Sequence, residues 1–256
     1  MKNKFTILGC GSSIGSPWIT GNWGLCNKNN KKNIRTRCSA HFLINDVSIL
    51  IDTSPDIKSQ LANNKIIDLD SVLFTHEHAD HTSGIFELRP FFWKYKKTIK
   101  IYGERETIKD LKKRYDYCFI FKNGYVPILT PNIIKNKFKI KSGKKIININ
   151  SFSVDHGMIK STAYVIEKIA YISDCNKIFK KNFKDLANLK YLIIDCLKLS
   201  EHPSHLNLSK ALELVKILKP KKTILTNLHT DLDYTVLKKK LPKNIMPAYD
   251  GLSFNF

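Results

Sequence analysis

The stretch "SVLFTHEHADHTSG", residues 71–84, limits what this chain can become more than any other. It joins a short apolar strand to a turn carrying His76, His78 and His81, three of the chain's eight histidines. Side chains alternate in extended backbone, so His76 and His78 point to one side and Glu77 to the other. Asp80 and His81 follow on the turn into the next helix. One loop can thus offer two imidazoles to one metal ion, and a carboxylate with a third imidazole to a second. Imidazole with carboxylate suits zinc, and manganese and iron accept the same set. A lone histidine is more often structural. Three beside an aspartate, at the end of an apolar strand, are better explained as metal ligands.

Further candidate ligands also sit at strand ends. His156 follows "INSFSV", Asp174 follows "IAYIS" and His229 follows "TILTNL". A rim built from several strand ends brings distant residues together. The remaining pattern is β-rich with inserted helices. A hairpin "SAHFLI"/"VSILID" turns at "ND", and Asp52 ends its second strand. A helix follows over "SPDIKSQLANN", and a short helix over "SGIFELRPFF" is expected to break near Pro90. Further on come the amphipathic helix "RETIKDLKKRYDYCF", strands around "KSGKK" and a hairpin turning at Glu167 and Lys168. The buried strands "KYLIIDC" and "KTILTNLH" flank the helix "NLSKALELVKILKP". No linker or short repeat interrupts the pattern. One domain over residues 1–256 is expected, with two sheets packed face to face and helices outside. The loop over residues 16–37 is long enough to be either mobile or functional.

No apolar run reaches the roughly 18–20 residues of a membrane helix, and the N-terminal apolar stretch is too short for a signal peptide. A cytoplasmic protein with reduced thiols is expected. The formal charge of +21 admits RNA as a partner. Yet the basic residues are 38 Lys and 5 Arg, in a chain also rich in Asn and Ile, which AT-rich codons alone would produce. Arg is the residue favoured for bidentate phosphate contacts.

The order HxHxDH, later His, later Asp, final His resembles the metallo-β-lactamase superfamily. That resemblance implies an α+β fold, a four-layer αβ/βα sandwich with a dinuclear metal site on one edge. It implies that His76, His78 and His156 hold one ion, that Asp80, His81 and His229 hold the other, and that Asp174 bridges them. Asp52 matches the family's carboxylate that orients a ligand histidine. "LGCGSSIGSP", "NIRTRCSAHFLI", "DHTSGIFELRP", "YISDC", "HPSHLNLSKAL" and "PAYDGL" resemble the branch holding the phosphoribosyl cyclic phosphodiesterase of phosphonate breakdown. The tRNA 3′-processing endonucleases are neighbours of that branch.

The branch implies hydrolysis of a small, cyclic phosphodiester with two divalent ions, zinc or manganese, with iron also accepted. His205 would stabilise charge or protonate the leaving oxygen, and Asp80 would serve both metal and catalysis. Arg89 and His202 are candidates for substrate phosphate. Two departures stand out. The first long loop has only Cys26 where the phosphodiesterase holds a structural zinc, so no such zinc is expected. The last ligand usually follows Thr directly, whereas here Asn227 does and His229 lies two residues on. Alternation along a strand would put both on one face. Precursor tRNA cleavage, thioester or lactone hydrolysis, and a non-catalytic RNA-binding role are the alternatives. A homodimer is left open.

Overall fold

A computed structural model describes residues 3–256. The chain forms two compact units that interleave along the sequence. One comprises the N-terminus through Leu8, Ser39–Asn148 and Gly251–Phe256; the other comprises Gly9–Cys38 and Ile149–Asp250.

The first unit is built on a seven-stranded sheet. Its strands are β1 (Lys4–Gly9), β2 (Ser39–Ile44), β3 (Val47–Ile51), β4 (Ser71–Leu73), β5 (Ile99–Gly103), β6 (Leu129–Ile133) and β14 (Ser253–Asn255), in the order β14-β1-β2-β3-β4-β5-β6. The β2–β3 hairpin turns at Asn45 and Asp46, both at positive φ, as a two-residue hairpin turn needs. From β3 to β6 the strands run parallel. Leu50, Val72, Phe74 and Ile101 pack against α1 (Ile57–Asn63) and α4 (Arg105–Arg114) through Ile57, Leu61, Ile108 and Leu111. Between them lie α2 (Ala79–Thr82), a 3₁₀ turn over Ile85–Leu88 and α3 (Arg89–Tyr95). Pro90 therefore does not break a helix but stands in the first turn of one. Its missing N–H costs nothing there and its fixed φ suits the helix. Gly84, after α2, admits no side chain: a Cβ would collide with the Ser54 carbonyl oxygen and lie 2.6 Å from Ile57. That contact clamps α2 onto the loop after β3.

A second seven-stranded sheet, most of it in the second unit, has the order β13-β12-β11-β10-β9-β8-β7. The strands are β7 (Lys137–Ser142), β8 (Lys145–His156), β9 (Ile159–Ile166), β10 (Ile169–Ile172), β11 (Tyr191–Asp195), β12 (Lys222–Thr226) and β13 (Ile245–Pro247). β10 to β13 run parallel. Ala211, Val215 and Leu218 of α5 (Leu208–Leu218) pack on their core, the face expected from sequence, and α6 (Tyr234–Lys240) adds Leu237. The loop over residues 16–37 is pinned. Arg35, 1% exposed, donates to the carbonyls of His229 (3.1 Å) and Leu232 (2.6 Å), and Asp250 accepts from the Thr36 N–H and hydroxyl. All six cysteines are buried thiols. Among the described residues, no helix is long and apolar enough to cross a membrane.

His41 of β2 gives the fold a pH dependence. It is buried, and its Nε2 lies 2.8 Å from the Ser48 hydroxyl. Burial, helped by Lys4, lowers its pKa from 6.5 to about 4. Above pH 6.5 the ring is neutral folded or unfolded. As pH falls from 6.5 to about 4, the unfolded chain takes up a proton the folded chain refuses, so stability drops. The full drop is about 3 kcal/mol, at about 1.4 kcal/mol per pKa unit. Urea unfolding between pH 7.5 and 4 should show this slope, and His41→Asn should flatten it. An unchanged acid limb in the variant would refute the assignment.

Candidate metal centre

The first set of candidate ligands lies where β4 and the segment after it leave the sheet. Asp52 directly follows β3, fully buried and at a φ of 61°. It accepts from the Thr75 N–H and hydroxyl, each at 2.8 Å, and pairs with His81 Nδ1 at 2.7 Å. Burial raises its pKa, while His81 and Thr75 act to lower it. The Thr75 hydroxyl also lies 3.0 Å from His76 Nδ1. One buried carboxylate thus orients two imidazoles, His81 directly and His76 through Thr75. The remaining ring atoms converge. His76 Nε2 is 3.0 Å from His78 Nδ1, and His81 Nε2 is 3.3 Å from an Asp80 carboxylate oxygen. Glu77 turns the other way, as expected: its carboxylate accepts from Thr107 and its carbonyl from Arg114.

The second set of candidate ligands belongs to the second unit. His156 ends β8, and its Nδ1 lies 2.9 Å from the Ser204 carbonyl. A carbonyl only accepts, so Nδ1 carries the proton and Nε2 keeps its lone pair. Asp174 lies just after β10, 3% exposed. His205 Nδ1 sits 2.8 Å from Asp195, the last residue of β11. Ligand atoms of His156, Asp174 and His205 all lie within 4.8 Å of one another. The rings of His156 and His205 are 4.7 Å apart, and His202 lies beyond, 5.1 Å from His205. Burial lowers the pKa of His202 below its ordinary value.

Asp195 is a site residue that the sequence pattern does not single out. It is fully buried, accepts from the Cys175 N–H at 2.9 Å, and burial pushes its pKa up to about 7. It repeats the device of Asp52: an aspartate at the end of a buried parallel strand, bonded to a histidine Nδ1. The signal was "LIIDC", the counterpart of "ILIDT".

His229 is not with this set. β12 stops at Thr226, and Asn227 takes a left-handed φ of 61°, so strand alternation no longer governs residue 229. The His229 ring lies 5.8 Å from that of Trp18, and its Nδ1 lies 3.2 Å from Asp231. Asn227 takes the inner position instead. Its amide nitrogen donates to Asp174 at 3.2 Å and lies 3.1 Å from His205 Nδ1.

Arg89 lies against rings. Its guanidinium carbon is 4.7 Å from the Trp93 centroid, 5.1 Å from that of Tyr125 and 5.4 Å from that of Phe86.

The donor sets fit divalent metal. Metal–nitrogen bonds of 2.0–2.1 Å at a tetrahedral angle set ligand atoms roughly 3.3 Å apart. The His76–His78 and His81–Asp80 separations match that spacing. His78 is exposed, whereas His76, His81, His156 and His205 are buried or half-buried and fixed at their far nitrogen, which is how proteins present such ligands.

A family model described as the beta-lactamase superfamily domain matches residues 48–227. A solved structure described as a new diphosphatase from the PhnP family is 27% identical, covering 100% of this chain and 98% of that one at a TM-score of 0.91. Human tRNase Z, short form (ELAC1), is 16% identical, covering 98% of each chain at a TM-score of 0.71. An octanoyltransferase of Porphyromonas gingivalis (strain ATCC BAA-308 / W83) is 30% identical over 253 residues, which are 96% of this chain and 50% of that protein. The chain thus spans about half the length of that relative.

Proposed function

Because the chain belongs to the metallo-β-lactamase superfamily of metal-dependent hydrolases and has its α+β fold, we propose that it is a dinuclear-metal phosphodiesterase acting on a small, cyclic phosphodiester. The two ligand sets would serve one centre in a single hydrolase domain. His76, His78 and His156 would hold one ion and Asp80 and His81 the other, with Asp174 between them. Asn227, which donates to Asp174, would take the place beside the second ion that His229 does not fill. The observation that favours phosphorus chemistry is the full-length likeness to the diphosphatase. The octanoyltransferase is twice this length, and its name does not pass to the matched half.

Two divalent ions would supply Lewis-acid charge for phosphoryl oxygens and make a water acidic enough to attack. The chain's own residues do the rest. Asp52 fixes the tautomer of His81 and, through Thr75, the ring of His76. Ser204 does the same for His156. The Asp195–His205 pair would hold a proton for the leaving oxygen.

Metal-reconstituted protein should hydrolyse bis(p-nitrophenyl) phosphate, and His78→Ala should lose that activity by 10²-fold or more, about 3 kcal/mol of transition-state stabilisation. Comparing a cyclic ribose phosphate with precursor tRNA then separates this reading from an endonuclease. Inactivity in a protein holding two metals would shift the assignment to thioesters and lactones. Inactivity without metal would leave a binding protein.

A further inference from the structure

Arg89 is positioned by three aromatic rings rather than by acceptors. Its distances to Trp93, Tyr125 and Phe86 are those of cation–π contacts. Among the described residues, no carboxylate or carbonyl binds its N–H groups. The rings themselves are open: Trp93 is 52% exposed, Tyr125 47% and Phe86 38%. Tyr117 extends the group, 5.8 Å from Phe86 and 6.5 Å from Tyr125. Phe86, Tyr117 and Tyr125 line a cavity of about 470 Å³ together with Asn123 and the Asp116–Lys122 ion pair, within the range of small-molecule sites, and Arg89 and Trp93 flank it through the Phe86 and Tyr125 rings. A tight turn presents Tyr125: Asn123 and Gly124 both have positive φ, and Lys122 bridges to Tyr125.

The cluster adjoins the first ligand set. Phe86 comes five residues after His81, on the 3₁₀ turn that follows α2. Tyr117 follows α4, whose Arg114 and Thr107 both bond Glu77, the residue between His76 and His78. Exposed rings grouped around a guanidinium with open donors combine two recognition chemistries. A base of any sequence has a π-face that stacks on such rings. A guanidinium stacked on rings stays charged and presents its donors to a phosphate.

We propose that Arg89, Trp93, Tyr125, Phe86 and Tyr117 form a nucleotide subsite beside the metal loop. The rings stack a nucleobase, and Arg89 takes a phosphate oxygen of the same nucleotide. The substrate is then a phosphodiester that carries a nucleobase. This rests on the hydrolase reading and names its substrate class. The base can come from a free nucleotide or from single-stranded RNA.

Calorimetric titration of the full chain with AMP, ribose 5-phosphate and a short oligoribonucleotide tests it. AMP should bind saturably and at least tenfold more tightly than ribose 5-phosphate. Loss of a base–aromatic stack weakens affinity about five- to hundredfold, so Trp93→Ala should weaken AMP by that amount and Trp93→Tyr should restore most of it. Arg89→Ala should weaken both phosphates. Repeating the titration in His78→Ala separates the two readings: AMP binding kept in a chain that hydrolyses nothing leaves the subsite standing alone. An oligonucleotide that binds far more tightly than AMP, with steep salt dependence, identifies RNA as the source. Equal affinity identifies a free nucleotide. AMP no tighter than ribose 5-phosphate, or unaffected by Trp93→Ala, overturns the subsite. So does a dimer that Trp93→Ala converts to monomer with no nucleotide bound, which would make the patch a self-association surface.

Discussion

Asp174→Ala is expected to lose bound metal, and with it hydrolysis of bis(p-nitrophenyl) phosphate by roughly 10³-fold or more. Metal charge at a phosphoryl centre is worth several kcal/mol, and each 1.4 kcal/mol is tenfold in rate. The side chain is 3% exposed, beside His156 and His205, with Asn227 donating to one oxygen. A buried carboxylate so placed needs a cation or a proton to offset its charge. Asp174→Asn keeps the shape and one oxygen but removes the charge, so it should also lose metal, though less completely. Metal content by mass spectrometry of the purified variants, alongside activity, is the measurement. A variant that retains both ions and full rate sinks the bridging role.

The legible part of this molecule was what local chemistry dictates. "HEHADH" is dense enough in ligands to be read alone, and the expected split of its side chains holds past the end of β4: His76 and His78 meet while Glu77 turns to Thr107. "ND" at a hairpin turn and the apolar face of α5 were legible for the same reason. The misreadings came from single residues that change backbone state. Asn227 leaves the strand at positive φ, so His229 lands by Trp18 and Asp231. Asn adopts that conformation at little cost, and nothing in "LTNLH" distinguishes it from an extended residue. Pro90 reads as a breaker in the sequence because its effect depends on position within a helix turn, which sequence alone leaves ambiguous. Asp195 was overlooked because an aspartate after a buried strand is ordinary until a histidine ten residues on folds back to it. The ring cage of Arg89 joins residues 86, 93 and 125, and no local pattern links the last to the others.

The second large effect concerns that Asp195–His205 pair, and its size should depend on the leaving group. His205→Ala is expected to slow hydrolysis of an alkoxide-leaving substrate by roughly 10²–10⁴-fold, the range of general-acid help. It should slow bis(p-nitrophenyl) phosphate far less, because p-nitrophenolate departs without needing a proton. Asp195→Asn should follow the same pattern more weakly, since it keeps a hydrogen-bonding group at His205 Nδ1 but removes the charge that favours the protonated ring. His205 also lies within ligand distance of His156 and Asp174, so metal content decides its role. Ions retained, with a loss graded by leaving group, assign it as the acid. An equal loss on both substrates together with a missing ion would instead make it the ligand that takes the place vacated by His229.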